Sequence, residues 1–557
     1  MTAAERLLVP MPLVRGGHGA VVAPHHLATA AGLAILRAGG HAVDAAIATN
    51  AVLGVVLPSG CGLGGDAFWL IWDEAAGRQT ALNGSGRAPA AADPTALRAS
   101  GLATLPYRGP LAITVPGAVR SWDDAHRRHG RLSRAEVLAP AIELAWAGFP
   151  AWDGFISAVE GVLPDVVAAL GSGSGFEQVY RPHGRAWRPG ERVRLPALAS
   201  TLERLAEAGF DDFYGGEIAE RQAAGLAAIG CAIGGADLRD HTSTWTDPIA
   251  TDYRGVRVTT HPPNSSGVVA LELLNILETF EAPAPAAFGP NGVDDARWVH
   301  LGIEAAKLAM ADRDRYLTDP EFLEISIDTI VSKDHARRLA GLIDPERAAR
   351  PPAATNPRGG GTIYLATVDA EGNAVSLIQS NYMGFGSGVV DPDTGIHYQN
   401  RGSFFSLDPD HPNVLAPGKR TLHTLLPGML FRAGEQRPWI VTGSMGGDAQ
   451  PQIHAQVVSG LVDGALDVAT AVGAPRWFVD GAEHFAPPVN VRAERRYPAA
   501  ILDALEAMGH PVTRTIPFNG LLGHAHAIEL VDGGPADPEG SLAAATDPRS
   551  AGLPAVW

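Results

Sequence analysis

The sequence has little of what marks several protein classes. Only two cysteines, Cys61 and Cys231, occur in 557 residues. That excludes a disulfide framework and a cysteine-rich zinc site, so both thiols read as packing residues of a reduced protein. No apolar run reaches the roughly 18 residues of a membrane span. The nearest, Ala42 to Leu57, is broken by Asp44, Thr49 and Asn50. The opening Met1-Thr-Ala-Ala-Glu-Arg-Leu-Leu-Val-Pro10 lacks the apolar core and small-residue cleavage site of a signal peptide. A cytoplasmic location is the expectation. Positive charge is in deficit, with 43 Lys and Arg against 60 Asp and Glu and a net charge of −17. Such a balance argues against nucleic acid and membrane surfaces as partners. The chain has no G-x-x-x-x-G-K-[ST] loop, no G-x-S-x-G elbow, no H-E-x-x-H and no paired C-x-x-C.

What remains is globular: 46% hydrophobic and 18% charged, with 65 glycines and 43 prolines making it loop-rich. His25 to Arg37 has helical periodicity, stopped by Gly39-Gly40. Ala42 to Val55 is small and apolar on most sides, which predicts a buried helix. A glycine turn, Pro58 to Gly65, leads into the apolar strand Ala67 to Trp72. Leu132 to Gly230 reads as mostly helical with breaks near Gly171 to Gly175, and Val299 to Tyr316 as a further helix. Asp344 to Gly361 is charged, then proline-rich, then triple glycine. It is expected to be an exposed linker with neither helix nor central strand. Thr362 to Val368 follows as a β-branched strand, Asp369 to Asn373 as a turn, and Ala374 to Ile378 as the returning strand.

Gly60-Cys-Gly-Leu-Gly-Gly65 matches G-x-G-x-x-G. Dinucleotide sites need a strand before it and a helix after it. Here the order is reversed, so the glycines read as a close-packed turn. His524 and His526 share a strand face but have no third ligand motif, and read as ordinary strand histidines. No metal or organic cofactor is called for. The best chemical candidate is Gly359-Gly-Gly-Thr362. A threonine opening a strand after a flexible linker can attack the Gly361 carbonyl, giving an ester by N→O acyl shift. Water then releases a new N-terminus in which Thr362 holds both a nucleophilic hydroxyl and a basic amine. Taken on spacing alone the signal is weak, since a threonine opening a strand is usually just a β-former. Thr442-Gly-Ser-Met-Gly-Gly447 follows the apolar Trp439-Ile-Val441. Successive N–H groups there suit an oxyanion hole, and also an ordinary strand-to-helix turn.

Together these strings resemble the γ-glutamyltranspeptidase family of N-terminal-nucleophile hydrolases. The resemblance runs through Gly39-Gly-His-Ala-Val-Asp-Ala-Ala46, Leu63-Gly-Gly-Asp-Ala-Phe68, Val115-Pro-Gly117 and Pro262-Pro-Asn-Ser-Ser-Gly267. It continues through Ala311-Asp-Arg313, Gly361-Thr362, Phe385-Gly-Ser-Gly388, Lys419-Arg420, Gly443-Ser-Met-Gly-Gly447 and Asp547-Pro-Arg549. It implies an α/β fold of the four-layer αββα sandwich type. It implies a proenzyme cut between Gly361 and Thr362 into chains 1–361 and 362–557, which form one composite domain. The product is a heterodimer, and the family also admits a dimer of heterodimers. Thr362 then matches the nucleophile, Ser380 the hydroxyl that orients it, and Gly446 and Gly447 the oxyanion hole. Arg87, Asn381, Arg401, His423 and Thr424 fall on the substrate side.

Family members that take γ-glutamyl groups grip the α-amino group with an acid and a glutamine or glutamate. Here Phe404 and Arg401 stand in those places, His423-Thr424 replaces a serine pair, and Arg87 is displaced by two residues. The segment between Phe405 and His423 is short for a lid. A buried ammonium without a carboxylate costs several kcal/mol. Arg87, Arg401 and His423 are expected to gather positive charge for an acid-bearing amide instead. The strings Gln399-Asn-Arg401-Gly402 and Met445 to Gln452 are similar to the intracellular oxamate amidohydrolase and acylase-like branch. Hydrolysis of a small, carboxylate-bearing, oxamate-like amide is the first expectation. A γ-glutamyl hydrolase or transpeptidase acting on glutathione-like donors is the second. An unprocessed anion-binding protein is the third.

Overall fold

A computed structural model describes residues 12–349, 360–480 and 490–557. In chain order its principal strands are β1 (Val14–Gly16), β2 (Ala20–Val22), β3 (Asp66–Asp73), β4 (Arg78–Gly84), β5 (Thr244–Thr246), β6 (Ile249–Tyr253) and β7 (Val256–Thr260). They continue with β8 (Gly360–Val368), β9 (Ala374–Met383), β10 (Pro427–Phe431), β11 (Ile440–Met445), β12 (His524–Val531), β13 (Ser541–Ala545) and β14 (Ala555–Val556). Two seven-stranded sheets result, in the orders β14-β2-β8-β9-β3-β4-β5 and β1-β13-β12-β11-β10-β7-β6. Helices α1 (His26–Arg37) and α2 (Ala42–Val56) cover the first sheet, and α3 (Gly267–Glu278), α4 (Ala296–Tyr316) and α5 (Gln450–Val462) the second.

Period-two patterning builds the layers. Along β8, Ile363 and Leu365 point to the core under α1 and α2, while Tyr364, Ala366 and Val368 point between the sheets. Phe68, Leu70 and Ile378 join that inner layer from the first sheet, and Met429, Val441 and Ile528 from the second. Three apolar cores in sequence, helix–sheet, sheet–sheet and sheet–helix, make the expected αββα sandwich. Every residue of α2 is buried, which its run of Ala, Val and Ile requires. Its start is fixed by Asp44, which accepts from the His41 N–H at 2.9 Å.

The linker expectation needs one correction. Gly360 and Gly361 are strand residues, paired with Met383 and Tyr382, and β8 lies inside its sheet. Backbone pairing needs no side chain, so a glycine run continues a ladder that its neighbours specify. Gly359 and the proline-rich part of the linker lie outside the described residues. The register shifts between Gly361 and Thr362. A Cβ on Gly361 would sit 2.2 Å from the Ser59 carbonyl oxygen and 2.9 Å from Gly384, so only glycine fits there. Among the described residues, no helix is long and apolar enough to cross a membrane.

Candidate active site

Register brings three chemical side chains into one row. Thr362 of β8 pairs with Ser380 of β9, and Ser380 pairs with Asp66 of β3. Directly opposed residues share a face, here the face that looks between the sheets. Thr362 is buried, with Oγ1 2.9 Å from Ser380 Oγ. Ser380 Oγ donates to the Gly361 carbonyl at 2.8 Å and accepts from the Tyr382 N–H at 2.7 Å. Its single proton is thereby assigned to Gly361, so the Thr362 hydroxyl is the donor in the pair. The candidate nucleophile is aligned, and the carbonyl ahead of it is polarised.

The second sheet supplies the opposite wall. β11 ends at Met445, and a turn through Gly446 (φ 153°) and Gly447 (φ 56°) leads to α5. These backbone angles favour glycine. The turn packs on β8, and neither Gly446 nor Gly447 N–H has an acceptor among the described residues. The next residue, Asp448, is buried and accepts from Arg313 Nη1 of α4 at 2.7 Å. Burial raises the Asp448 pKa against the pull of Arg313. Arg313 is held charged by Asp314 and Asp448, although burial works the other way. Arg313 thus braces the glycine turn.

Arg401 is 1% exposed. Its guanidinium lies 4.0 Å over the Tyr382 ring and 5.5 Å from that of Phe404. Nη2 donates to Thr424 Oγ1 at 3.3 Å, while Nε and Nη1 have no partner among the described residues. Burial lowers its pKa to about 10, with Tyr382, Asp66 and Asp448 opposing. It stays charged at neutral pH. Its backbone N–H is held by the Gln399 side chain, which in turn binds Thr114. Tyr107 belongs to the same support, its carbonyl accepting from Asn400 Nδ2 at 2.8 Å.

The expected positive cluster shrinks to Arg401. Arg87 is committed elsewhere, 3.5 Å from both Asp319 and Glu321 and bonded to the Gly418 carbonyl. His423 is neutral, because burial and then the neighbouring Arg401 and His261 push its pKa well below the usual value. Its Nε2 is 3.2 Å from Asp66 Oδ2, and its Nδ1 has no partner among the described residues. Asn381 faces away from the Thr362 row, bonding His397 at 2.6 Å and the Pro58 carbonyl at 3.3 Å. Sequence reasoning gave no role to Asp66, Asp448, Arg313 or Tyr382. All but Tyr382 stood inside quoted strings, but only strand register reveals what they face.

Gly64 and Gly65 fulfil the close-packed reading. A Cβ would lie 2.1 Å from the His397 carbonyl oxygen and 2.7 Å from the Ser380 carbonyl oxygen, respectively. Among the described residues, two ligand-type groups stand apart from the Thr362 row: His300, Glu304 and His510, and Glu272, Asp312 and His335. Lys307 Nζ already sits 2.6 Å from Glu304, and His335 Nε2 closes on Asp312 at 2.6 Å.

The gamma-glutamyltranspeptidase family model matches residues 28–557. The glutathione hydrolase-like YwrD proenzyme of Bacillus subtilis is 39% identical over 534 residues, covering 96% of this chain and 97% of that one. The oxamate amidohydrolase proenzyme of Klebsiella pneumoniae is 39% identical over 551 residues, covering 97% and 98%. The crystal structure of cephalosporin acylase from Bacillus halodurans superposes with a TM-score of 0.87 at 39% identity, covering 99% and 97%. The chain belongs to the gamma-glutamyltranspeptidase family of enzymes acting on amide C–N bonds.

Proposed function

We propose that the chain is a self-cleaving amide hydrolase whose nucleophile is Thr362. The observation that carries this is the Thr362–Ser380–Gly361 hydrogen-bond chain. Thr362 Oγ attacks the Gly361 carbonyl carbon, and the Thr362 nitrogen leaves as an amine, taking one proton. Water then hydrolyses the ester to a Gly361 carboxylate and a free Thr362. Chains 1–361 and 362–557 remain together as a cytoplasmic heterodimer. In turnover the Thr362 amine takes the hydroxyl proton as Oγ attacks the substrate amide, and the tetrahedral oxyanion lies on the Gly446 and Gly447 N–H groups. Each such donor contributes about 3 kcal/mol. The amine or ammonia departs with the proton, and water releases the acid.

The substrate is a small amide bearing a carboxylate, oxamate-like in size. Nε and Nη1 of buried Arg401, which have no partner among the described residues, support that reading, since a planar guanidinium suits a carboxylate. The name of the Klebsiella relative agrees with it. A γ-glutamyl donor is the second reading, favoured by the name of the Bacillus subtilis relative.

Denaturing electrophoresis with N-terminal sequencing tests the first step. Wild type gives two bands, the smaller beginning at Thr362, and Thr362→Ala gives one. A single band from folded wild type sinks the proposal. Steady-state comparison of oxamate, glutathione and a γ-glutamyl anilide tests the second. The greatest kcat/KM belongs to oxamate, and the reverse order transfers the assignment to the γ-glutamyl reading.

A further inference from the structure

Helix α3, in the layer over the second sheet, is buried from Gly267 to Leu277, and two of those side chains are polar, Glu272 and Asn275. Asn275 is engaged at both ends of its amide. Its Oδ1 accepts from Thr251 Oγ1 at 2.6 Å, and its Nδ2 donates to the Val331 carbonyl at 2.7 Å. Glu272 is not engaged in this way. Its side chain is 1% exposed, and Oε2 has no partner among the described residues. Buried carboxylates are ordinarily paired with a cation, and an orphaned oxygen inside a folded protein asks for an occupant.

Two other helices supply what Glu272 faces. Asp312 lies on α4, and His335 on the helix Lys333–Ala340. His335 Nε2 is 3.2 Å from Glu272 Oε1 and 2.6 Å from Asp312 Oδ2. One ligand atom from each of the three residues lies within 4.8 Å of the other two. Among the described residues, neither carboxylate has a lysine or arginine as ion partner. Lys333 is committed to Glu278 and Asn275. Arg338 is exposed and donates from Nη2 to His335 Nδ1 at 2.9 Å, at the other ring nitrogen. Burial, and then the Asp312 carboxylate, push Glu272 well above the ordinary carboxylate pKa. Two acids and one imidazole thus converge with no fixed cation between them among the described residues.

We propose that Glu272, Asp312 and His335 form a binding site for one divalent transition-metal ion of the Zn²⁺ type. One imidazole and two carboxylates suit Zn²⁺, whereas Ca²⁺ and Mg²⁺ take oxygen ligands. Tetrahedral ligands at zinc distances stand about 3.4 Å apart. The 3.2 Å edge between His335 and Glu272 fits as it stands, and the 2.6 Å edge to Asp312 opens as the ion replaces the proton between them. The ion takes the Nε2 lone pair, the imidazole proton sits on Nδ1, and exposed Arg338 swings off into solvent. Asp312 and His335, with side chains 13% and 11% exposed, give the ion a way in. Water completes four-coordination. The ion neutralises the two acids and ties three helices together. It is structural and stands apart from the chemistry at Thr362.

Equilibrium dialysis of tag-free, chelator-stripped protein against Zn²⁺, Ca²⁺ and Mg²⁺ is the test, with metal counted by mass spectrometry. Wild type takes up one Zn²⁺ per chain in preference to Ca²⁺ and Mg²⁺, and added Zn²⁺ raises its melting temperature. Glu272→Gln keeps the side chain's shape while removing a buried charge. It and His335→Gln each weaken zinc binding by about 100-fold or more, since losing a ligand costs more than the 10–100-fold of an outer partner. His510→Gln leaves zinc binding unchanged, because the Lys307 ammonium already occupies Glu304 in that second group. No zinc uptake by wild type overturns the proposal, and the gap then holds a proton shared by the two acids. Uptake that is lost in His510→Gln and kept in Glu272→Gln overturns it as well. Should the Glu272 and His335 variants not fold, X-ray absorption of zinc-loaded wild type decides. One imidazole in the zinc shell supports the site, and two overturn it.

Discussion

Arg401 combines three properties that rarely coincide in one side chain. It is fully buried, it is charged at neutral pH, and two of its nitrogens lack acceptors among the described residues. A structural role would require the opposite, since a buried charge is tolerated when its hydrogen bonds are complete. Stacking on Tyr382 and Phe404 returns part of the desolvation free energy, on the order of 1–2 kcal/mol. Arg401→Met, which fills a similar volume without charge, is therefore expected to stabilise the empty protein by about 1–3 kcal/mol. The same change raises KM for oxamate by about 100-fold, because a carboxylate loses its charge-assisted bonds. Thermal unfolding at pH 6.5 with parallel kinetics checks both. A lower melting temperature makes Arg401 a structural residue. The position of Arg401 was legible in the sequence as a departure from a known pattern. Its isolation from Arg87 was not, because acids in the 319–321 segment, more than 200 residues away in sequence, claim Arg87. Asp66 was equally hidden. An aspartate after a glycine turn has no sequence mark that separates a cap from a member of the Thr362 row.

Among the elements, those with a strict period were legible. The buried helix α2, the strand β3 and the hairpin of β8 and β9 follow from side-chain patterning alone. The start of β8 did not, since glycines carry no pattern and the pairing of Gly360 and Gly361 comes from Tyr382 and Met383. The glycine turn after β11 shows how an element with little side-chain mass is held rigid. Asp448 ties it to Arg313 across to α4, and both groups are buried. Removing one partner of such a pair leaves an uncompensated charge, at a cost of about 3–5 kcal/mol. Arg313→Met is expected to lose that much stability, and Asp448→Asn alone somewhat less, because burial already raises its pKa. The double variant should recover at least 1 kcal/mol relative to their sum, as contacting partners are not additive. In both single variants kcat should fall by about 100-fold while KM moves little, because the oxyanion donors shift without any change at Arg401. Urea unfolding and steady-state kinetics measure the two effects. Additive stabilities with unchanged kcat would detach α4 from the glycine turn.

At the scale of the molecule, the proposed cut divides one folded unit. Chain 1–361 contributes β2, β3, β4 and β5 to the first sheet, and chain 362–557 contributes β8, β9 and β14. β2 lies between β14 and β8, so a strand of the large chain is clamped between two of the small. In the second sheet the large chain holds both edges, with β1 beside β13 and β7 beside β10. The inner apolar layer draws Val22 and Phe68 from one chain and Tyr364, Met429 and Ile528 from the other. Among the described residues no boundary lets the two proposed chains part with their cores intact. The proposed cut would leave β8 paired with β9 from Thr362 onward and with β2 at Ala366 to Val368, so a new N-terminus at Thr362 would stay in the row with Ser380. Processed protein should therefore unfold in one cooperative transition, with loss of both chains' structure at one denaturant concentration. The two chains should co-migrate in gel filtration below that concentration and separate only above it. Unfolding followed at once by far-ultraviolet circular dichroism and by size checks this. Two resolved transitions, or free small chain in native buffer, would mean that the halves fold independently and that the interleaved sheets do not hold the site together after cleavage.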